Sequence, residues 1–419
     1  MRVLFLATYF PRPMKPTIGT WALAQAQGLS RLAEVRVLCL SPRLPGALKV
    51  LPRSRPWVMT PREHDWDGVR ACYPRWLLYP VPPLTRWLRE NPEPQLRIAY
   101  RSARREILRI VDDFRPDVVL AHHTGISGFV AERLHEERGL PFVTQDHDFA
   151  EIASCEWLPK RRATLGRIMG KAFRCGAVAA RMEADVRRLF PHARPARLHC
   201  GVDLPPEALR QAPRPEALRG KKMVFCAALF YPRKGIPLAV QAFARVAARH
   251  PDAVLRIAGD GEERPAVEEA IRQSGAADRI ELLGLIPHSQ AQQNMAWADL
   301  FFLVGWDEPF ATVYLEAMAC GTPVVCAADG GITDVVVSGV HGLAVPPRDV
   351  DAAAEALDRL LSDDAGREEM GRQARRLVEA ELTWSAIGGK ARGILEAAVR
   401  ERGTSPPARD RADQPSRPS

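Results

Sequence analysis

A long uninterrupted apolar run is lacking from this sequence, although hydrophobic residues make up 46% of its 419 residues. A helix that spans a bilayer needs roughly 20 consecutive apolar residues, and no stretch approaches that length. The short run from Val3 to Phe10 is cut at once by Pro11, and no cleavage-site pattern follows it. We therefore expect a buried first strand at this position and no secretory signal.

Paired cysteines and metal-ligand clusters are lacking as well. The eight cysteines are scattered, with no Cys-x-x-Cys pair and no histidine cluster at zinc spacing. The sequence therefore predicts neither a disulfide framework nor a metal site. We expect a cytoplasmic protein that holds no metal and no resident cofactor.

Acidic residues are scarce in the first half of the chain. Residues 1–205 hold 33 Lys and Arg against 20 Asp and Glu, whereas residues 206–419 hold 26 against 30. A basic half suits an anionic partner, such as a membrane surface, a lipid phosphate or nucleic acid. No recognition helix or stacking motif supports nucleic acid, so we expect no such partner. A general bias toward arginine is the alternative explanation of the charge.

Regular periodicity is lacking between residues 42 and 98, where prolines, arginines and aromatic residues are frequent. Trp and Tyr beside arginine suit the headgroup layer of a membrane. Trp76, Arg86 and Trp87 are therefore candidates to dock the first half on an anionic membrane, at its inner face. Packing of this segment on its own domain is the alternative, and it is slightly favoured.

What the chain does contain is a repeated alternation of short apolar strands and helical segments, which is typical of doubly wound α/β folds. A chain of this length exceeds one core of usual size. Four prolines between residues 204 and 220 indicate a linker. We predict domains at residues 1–205 and 206–385, a C-terminal helix at 386–401 and a disordered tail at 402–419.

Polar residues follow two of the predicted strands in the first domain. His122 and His123 follow a strand at residues 116–121, and His147 follows a strand at residues 140–144. Open α/β sheets bind ligands at the carboxyl ends of their strands. Gly19 opens the first helix, where a glycine lets a ligand approach the backbone. Histidines that only cap strand ends, and a plain turn at Gly19, are the alternatives.

The most informative stretch is residues 304–334, which read VGWDEPFATVYLEAMACGTPVVCAADGGITD. A helix is predicted from the loop after Glu308 to a C-terminal cap at Gly321, followed by a short buried strand. The free N–H groups of a helix N-terminus favour phosphate. Glu316, on the helix, can accept hydrogen bonds from a vicinal diol such as ribose. The alternative is an ordinary loop and surface helix with two solvated acids.

This stretch resembles the donor-site signature of the family 4 retaining glycosyltransferases, with Ala311 where that family usually has glycine. The resemblance covers nearly the whole chain and is strongest from about residue 223 to 347. It implies the GT-B fold, an α/β architecture of two Rossmann-like β/α/β domains that face a central cleft. The second domain would bind a nucleotide-sugar donor, and the first a glycan or lipid-linked acceptor of cell-envelope or exopolysaccharide synthesis.

The resemblance also implies a role for each matching residue, in a metal-independent transfer with retention at the anomeric carbon. The implied catalytic residues are His147, Glu308 and Lys234. The implied loop at the acceptor and sugar comprises Gly19, Thr20 and His122. The implied donor-binding residues are Arg233, Lys234, Gly259, Gly261, Ile286, Glu308, Phe310, Ala311, Thr312, Val313 and Glu316.

Two further departures from the family pattern stand out. The arginine expected shortly before Lys234 is missing, because Ala228 stands there, and Arg233 is the nearest replacement. Cys200 occupies the place of the usual asparagine in the Asn-Gly-Val-Asp turn that ends the first domain. A nucleotide-sugar epimerase or hydrolase of the same fold, and a non-catalytic family member, remain as alternative functions.

Overall fold

The computed structural model of the chain describes residues 1–78 and 84–404. Tyr79 of the aromatic segment and residues 405–419 of the predicted tail lie outside these described residues. The strands of the first half are β1 Arg2–Ala7, β2 Glu34–Leu38, β3 Ser41–Pro42, β4 Glu63–Trp66, β5 Val69–Cys72, β6 Arg75–Trp76, β7 Val118–His122, β8 Phe142–Asp146, β9 Arg174–Ala177 and β10 Pro195–Arg197.

Eight of these strands form one sheet, in the spatial order β10-β9-β8-β7-β1-β2-β5-β4. All neighbours in it run parallel except β4 and β5, which pair antiparallel. Helices pack around the sheet: α1 Thr20–Ser30, α2 Arg55–Val58, α3 Leu84–Glu90, α4 Pro92–Phe114, α5 Ile126–Arg138, α6 Phe149–Ala153, α7 Pro159–Lys171 and α8 Ala180–Leu189.

The second half contains a six-stranded parallel sheet of order β13-β12-β11-β14-β15-β16. Its strands are β11 Lys222–Ala227, β12 Ala253–Ala258, β13 Ile280–Gly284, β14 Leu300–Phe302, β15 Val324–Ala327 and β16 Gly342–Val345. Its helices are α9 Glu207–Arg210, α10 Ile236–Ala247, α11 Arg264–Gln273, α12 His288–Trp297, α13 Thr312–Ala319, α14 Val350–Ser362 and α15 Asp364–Leu377, and the chain closes with α16 Trp384–Thr404. The predicted fold class, two doubly wound α/β units, is confirmed.

The C-terminal helix α16 returns to the first half of the chain. Leu395 and Ala398 on it are buried in the core cluster that surrounds β1 and β2. Gly28 of α1 lies so close to Trp384 that a Cβ atom on it would sit 2.4 Å from the Trp384 carbonyl oxygen. The helix extends to Thr404, three residues beyond the end predicted for it at residue 401.

The segment at residues 42–98 is more regular than the sequence predicts. Strands β4 and β5 extend the main sheet, and α3 follows the undescribed residues 79–83. Trp76 is buried in the core that also contains Leu96 and Tyr100 of α4, so it is not a membrane-docking residue. Trp87 is exposed to 42%, as the docking hypothesis requires. Within the described residues, no helix has the length and apolarity to cross a bilayer.

A carboxylate from the second half caps a helix of the first half. Asp334 accepts a hydrogen bond of 2.6 Å from the backbone N–H of Ala180, the first residue of α8, and lies 3.7 Å from the Arg197 guanidinium. We expect Asp334→Ala to lower the free energy of unfolding by about 1 kcal/mol, the usual cost of losing a helix cap. Urea titration would measure this change, with Asp334→Asn as a control that keeps an acceptor. An alanine variant as stable as the unmodified protein would contradict the capping role.

Candidate active site

Glu308 is the centre of a cluster of charges in the loop between β14 and α13. Its side chain is only 4% exposed, one carboxylate oxygen lies 2.9 Å from the Lys234 ammonium, and the other is paired with the Arg233 guanidinium. Both cations belong to the short 3₁₀ turn Pro232–Lys234 after β11, which ends at Gly235 with φ 64°. The cluster carries a net positive charge, which suits an anionic ligand.

The N-terminus of α13 lies beside this cluster. The helix begins at Thr312, and the N-cap residue Ala311 supplies no side-chain cap. Tyr314 anchors the helix to the sheet, because its hydroxyl donates to the Leu303 carbonyl at 2.6 Å. The first-turn N–H groups of such a helix add a partial positive charge to that of Arg233 and Lys234.

A cavity of about 370 Å³ lies between the two halves of the chain at this point; we call it the histidine cavity. The ring of His199 from the first half stacks on Phe310 from the second, with centroids 4.9 Å apart, at this junction. Both halves of the chain contribute to its lining, which comprises Tyr9, Trp21, His123, His147, Asp148, Val178, Cys200, Arg233, Pro309, Phe310, Ala311 and Thr312.

Three histidine rings are clustered at the carboxyl ends of β7 and β8. The ring of His147 lies 4.0 Å from that of His122 and 5.4 Å from that of His123, measured between centroids. Burial, together with the charge of His123, lowers the pKa of His147 well below its usual value. The imidazole of His147 is therefore neutral at neutral pH, and it can donate or accept a hydrogen bond without carrying charge.

His123, and not His122, lines this cavity. His122 is completely buried, and its Nε2 lies 2.9 Å from the Gln25 side-chain oxygen. His123 adopts a left-handed backbone conformation with φ 78°, and its ring meets Tyr9 edge-on. The structure thus places His123, and not the predicted His122, in the cavity wall, because the left-handed backbone at His123 turns its ring away from the buried strand.

A second cavity, of about 200 Å³, adjoins the first and shares Trp21 and Thr312 with it; we call it the Glu316 cavity. One oxygen of Glu316 lies 3.2 Å from Nε2 of His288. This hydrogen bond raises the pKa of His288 above its usual value. The lining comprises Thr20, Trp21, Ala24, Gly201, Val202, Asp203, His288, Gln292, Thr312, Glu316 and Trp384.

Close contacts between backbones explain why three of the predicted site residues are glycines. A Cβ atom on Gly19 would lie 2.5 Å from the Tyr9 carbonyl carbon, and one on Gly259 would lie 1.8 Å from the Ala228 oxygen. The N–H of Gly259 donates to Gly284, and that of Gly261 donates to the Asp260 side chain, both at 2.8 Å. Gly259 and Gly261 line neither cavity, and their close backbone contacts give them a packing role.

The remaining predicted residues divide into two groups. Thr20, Phe310, Ala311 and Thr312 line one or both cavities, as predicted. Ile286 and Val313 are partly buried against the core and line neither cavity. Several lining residues were not predicted, namely Tyr9, Trp21, Asp148, Asp203 and Gln292. Of these, Asp203 belongs to the turn that begins at Cys200.

Two α/β units with a cavity between them are the architecture of GT-B glycosyltransferases, and the comparisons with known proteins agree. Residues 210–377 match the family model described as glycosyl transferases group 1. Residues 18–205 match the model described as glycosyltransferase family 4. Together the two models cover most of the chain, which therefore belongs to the family 4 glycosyltransferases.

Among curated proteins, the chain is 34% identical over 187 residues to a GDP-mannose-dependent phosphatidylinositol monomannoside mannosyltransferase of Corynebacterium glutamicum. That match covers 42% of this chain and 48% of the relative. The chain is 30% identical over 281 residues to D-inositol 3-phosphate glycosyltransferase of Kribbella flavida, and this match covers 62% of this chain and 66% of the relative. The first of these matches thus spans about half of the relative's length.

The fold is also that of solved glycosyltransferase structures. Sucrose-phosphate synthase of Thermosynechococcus elongatus superposes with a TM-score of 0.73 at 20% identity, covering 96% of this chain and all of that one. Anabaena HepE, in complex with UDP and glucose, superposes with a TM-score of 0.66 at 18% identity, covering 95% of this chain and all of that one. At sequence identities of 18% and 20%, the structural similarity establishes the fold alone.

Proposed function

We propose that this glycosyltransferase moves a sugar, with retention at the anomeric carbon, from a nucleoside-diphosphate sugar to a glycan or lipid-linked acceptor. The observation that carries the proposal is that Arg233 and the residues at the N-terminus of α13 line a cavity between the two halves, while the Glu308 carboxylate joins Arg233 to Lys234. A diphosphate is the anion that such a set of donors suits. HepE, which shares the fold, is a protein solved with UDP and glucose.

The two adjoining cavities suggest how a donor would lie. Glu316 would accept hydrogen bonds from the ribose hydroxyls in its cavity, and the diphosphate would pass over Thr312 at the shared wall. The sugar would then enter the histidine cavity, opposite His147. The buried Glu308 would hold Lys234 and Arg233 in place, and this adds a positioning role to the sugar contact that the resemblance implies for it.

Chemically, the bond between the anomeric carbon and the phosphate oxygen breaks, and a bond to the acceptor oxygen forms on the same face of the sugar. Lys234, Arg233 and the helix N-terminus stabilise the negative charge that develops on the departing nucleoside diphosphate. In the proposed reaction the leaving phosphate takes the proton of the acceptor hydroxyl. The proposal includes no metal ion and no resident cofactor.

The first half of the chain is proposed to bind the acceptor. The Corynebacterium relative is named for a phosphatidylinositol monomannoside, which is a lipid-linked acceptor. Trp157 is exposed to 58% and lines a surface cavity with Arg86 and Arg89, near the exposed Trp87. We propose that this basic, aromatic surface rests on the inner face of an anionic membrane, from the cytoplasmic side.

The membrane contact can be tested by flotation with vesicles that contain phosphatidylglycerol. We expect the unmodified protein to float and a variant with Trp87→Ser, Trp157→Ser and Arg86→Ser to remain at the bottom. A matched variant would carry changes at Trp306 and Arg348, which form a cation–π pair in the second half of the chain. If the unmodified protein did not float, the proposed membrane contact would be contradicted, whereas the proposed transfer reaction would not be affected.

Replacing Glu316 by alanine should weaken donor binding. The loss of a hydrogen bond to a charged group is worth about 1.5–3 kcal/mol, or roughly a 10- to 150-fold rise in the dissociation constant of the donor. Calorimetric titration would measure it, with Glu268→Ala on α11 as the control because Glu268 lines neither cavity. Unchanged affinity in the Glu316 variant would contradict the proposed ribose contact.

Donor binding should also weaken at acidic pH, because His288 competes for Glu316. The hydrogen bond to Glu316 and, to a lesser extent, the charge of Asp203 raise the pKa of His288. The charged His288–Glu316 bond is therefore complete below pH 6.5 and is lost as the pH rises through the raised pKa. We expect the dissociation constant of the donor to rise about 2- to 10-fold from pH 8 to pH 6. The variant His288→Gln should flatten this profile, and an equally steep profile in that variant would refute the competition.

A further inference from the structure

Cys200 and His147 meet in the wall of the histidine cavity. The Cys200 sulfur lies 3.6 Å from Nδ1 of His147, within hydrogen-bond distance for a thiol. Both residues line the cavity, and Cys200 is only 6% exposed. Fifty-three positions separate them in the sequence, so the contact depends on the fold.

The protonation states of the pair follow from their burial. Burial raises the pKa of the Cys200 thiol to about 12, and burial together with the charge of His123 lowers the pKa of His147 well below its usual value. At neutral pH the pair therefore consists of an uncharged thiol and an uncharged imidazole. A neutral imidazole carries a single N–H, on either Nδ1 or Nε2.

The chemistry of the two groups decides between these tautomers. An unprotonated imidazole nitrogen is a good acceptor, whereas a thiol sulfur is a weak one. The pair is therefore best satisfied when the Cys200 S–H donates to Nδ1, which leaves the histidine proton on Nε2. The rings of His122 and His123 are close by, but neither is hydrogen-bonded to His147.

In this arrangement Nε2 of His147 carries the imidazole proton. It is buried, and it has no hydrogen-bond partner among residues 1–78 and 84–404. A buried polar atom without a partner costs free energy unless a ligand satisfies it. An N–H at this position would thus be available to a hydroxyl group of a ligand in the cavity.

We propose that Cys200 is a positioning residue that holds His147 in the Nε2–H tautomer, so that this N–H donates to a hydroxyl of the transferred sugar. The tautomer rests on the structure alone, and the contact with the sugar rests on the proposed function. Asparagine at this position would also offer an N–H donor to Nδ1, whereas alanine would offer none.

Nitrogen-15 NMR of protein labelled at histidine reads the tautomer directly, and His147→Asn identifies the His147 signals among the ten histidines. We expect the unmodified protein and Cys200→Asn to show the proton on Nε2, and Cys200→Ala to show a mixture of tautomers. Cys175→Ala is the matched control, because that thiol is buried in strand β9 of the first half and donates to the Met169 carbonyl. A proton on Nδ1 in the unmodified protein, or an unchanged signal in Cys200→Ala, would overturn the proposal.

A kinetic measurement tests the contact with the sugar. We expect Cys200→Ala to lower kcat about 2- to 10-fold with little change in KM for the donor, and Cys200→Asn to restore most of the loss. A changed tautomer with unchanged kcat would overturn the role of Cys200 in the reaction. If the unmodified protein transferred no sugar, the proposed function would fail, whereas the NMR result would still decide the tautomer.

Discussion

Lys234→Met should reduce kcat/KM for sugar transfer by about 10²- to 10³-fold. The Lys234 side chain is only 14% exposed and is fixed by Glu308, so its charge is preorganised for the diphosphate. Removing one preorganised donor to a developing anion typically costs this much in rate. Because Ala228 replaces an arginine that the family usually has nearby, we expect the effect to lie toward the upper end of this range.

The control for Lys234→Met is Lys222→Met on strand β11, which precedes the turn that holds Lys234. Lys222 also forms an ion pair, with Asp364 at 3.0 Å, and its side chain is 24% exposed. We expect kcat/KM of this variant to stay within about twofold of the unmodified enzyme, because loss of a partly exposed ion pair chiefly affects stability. Initial rates at several donor concentrations would measure both variants. A Lys234→Met enzyme that keeps more than half of its activity would refute the assigned role.

Glu308→Ala should have the largest effect on stability. The change leaves Lys234 and Arg233 without their shared buried carboxylate. Removing one partner of a buried ion pair costs about 3–5 kcal/mol, and we expect about 3 kcal/mol here because Arg233 is partly exposed. Urea unfolding would measure the loss.

Two further variants separate the effects of Glu308→Ala. Glu281 forms an ion pair with Arg256 but is 58% exposed, so Glu281→Ala should cost no more than about 1 kcal/mol. Combining Glu308→Gln with Lys234→Met should recover part of the stability, because neither partner is then left charged and buried. The double variant should remain inactive. Equal losses for Glu308→Ala and Glu281→Ala would show that Glu308 is not the centre of this cluster.

Local features of the site were predictable from the sequence. The stretch at residues 304–334 predicts a helix and a strand, and the structure has them at Thr312–Ala319 and Val324–Ala327. Gly321 has φ 85°, as its place after a helix indicates. Capping and apolar runs act over a few residues, so a single sequence can reveal them.

Features that depend on long-range contacts were not predictable in the same way. His123 adopts a left-handed backbone conformation, which brings His123 and not His122 into the cavity. The residue type alone does not predict this conformation. The contact between Cys200 and His147 joins segments far apart in the chain. The short strands β4 and β5 were missed because their alternation covers only four residues each, too few for a periodic signal.

The central claim is that a nucleoside-diphosphate sugar binds across the histidine cavity and the Glu316 cavity, with its diphosphate at Arg233 and Lys234. A thermal-shift screen with UDP, GDP and ADP and their sugars tests it most directly, because a ligand that binds only the folded state raises the unfolding temperature. We predict that at least one nucleotide of this set stabilises the unmodified protein and that Lys234→Met and Glu316→Ala reduce the shift. The account would be contradicted if none of these ligands raised the unfolding temperature, or if both variants showed the same shift as the unmodified protein.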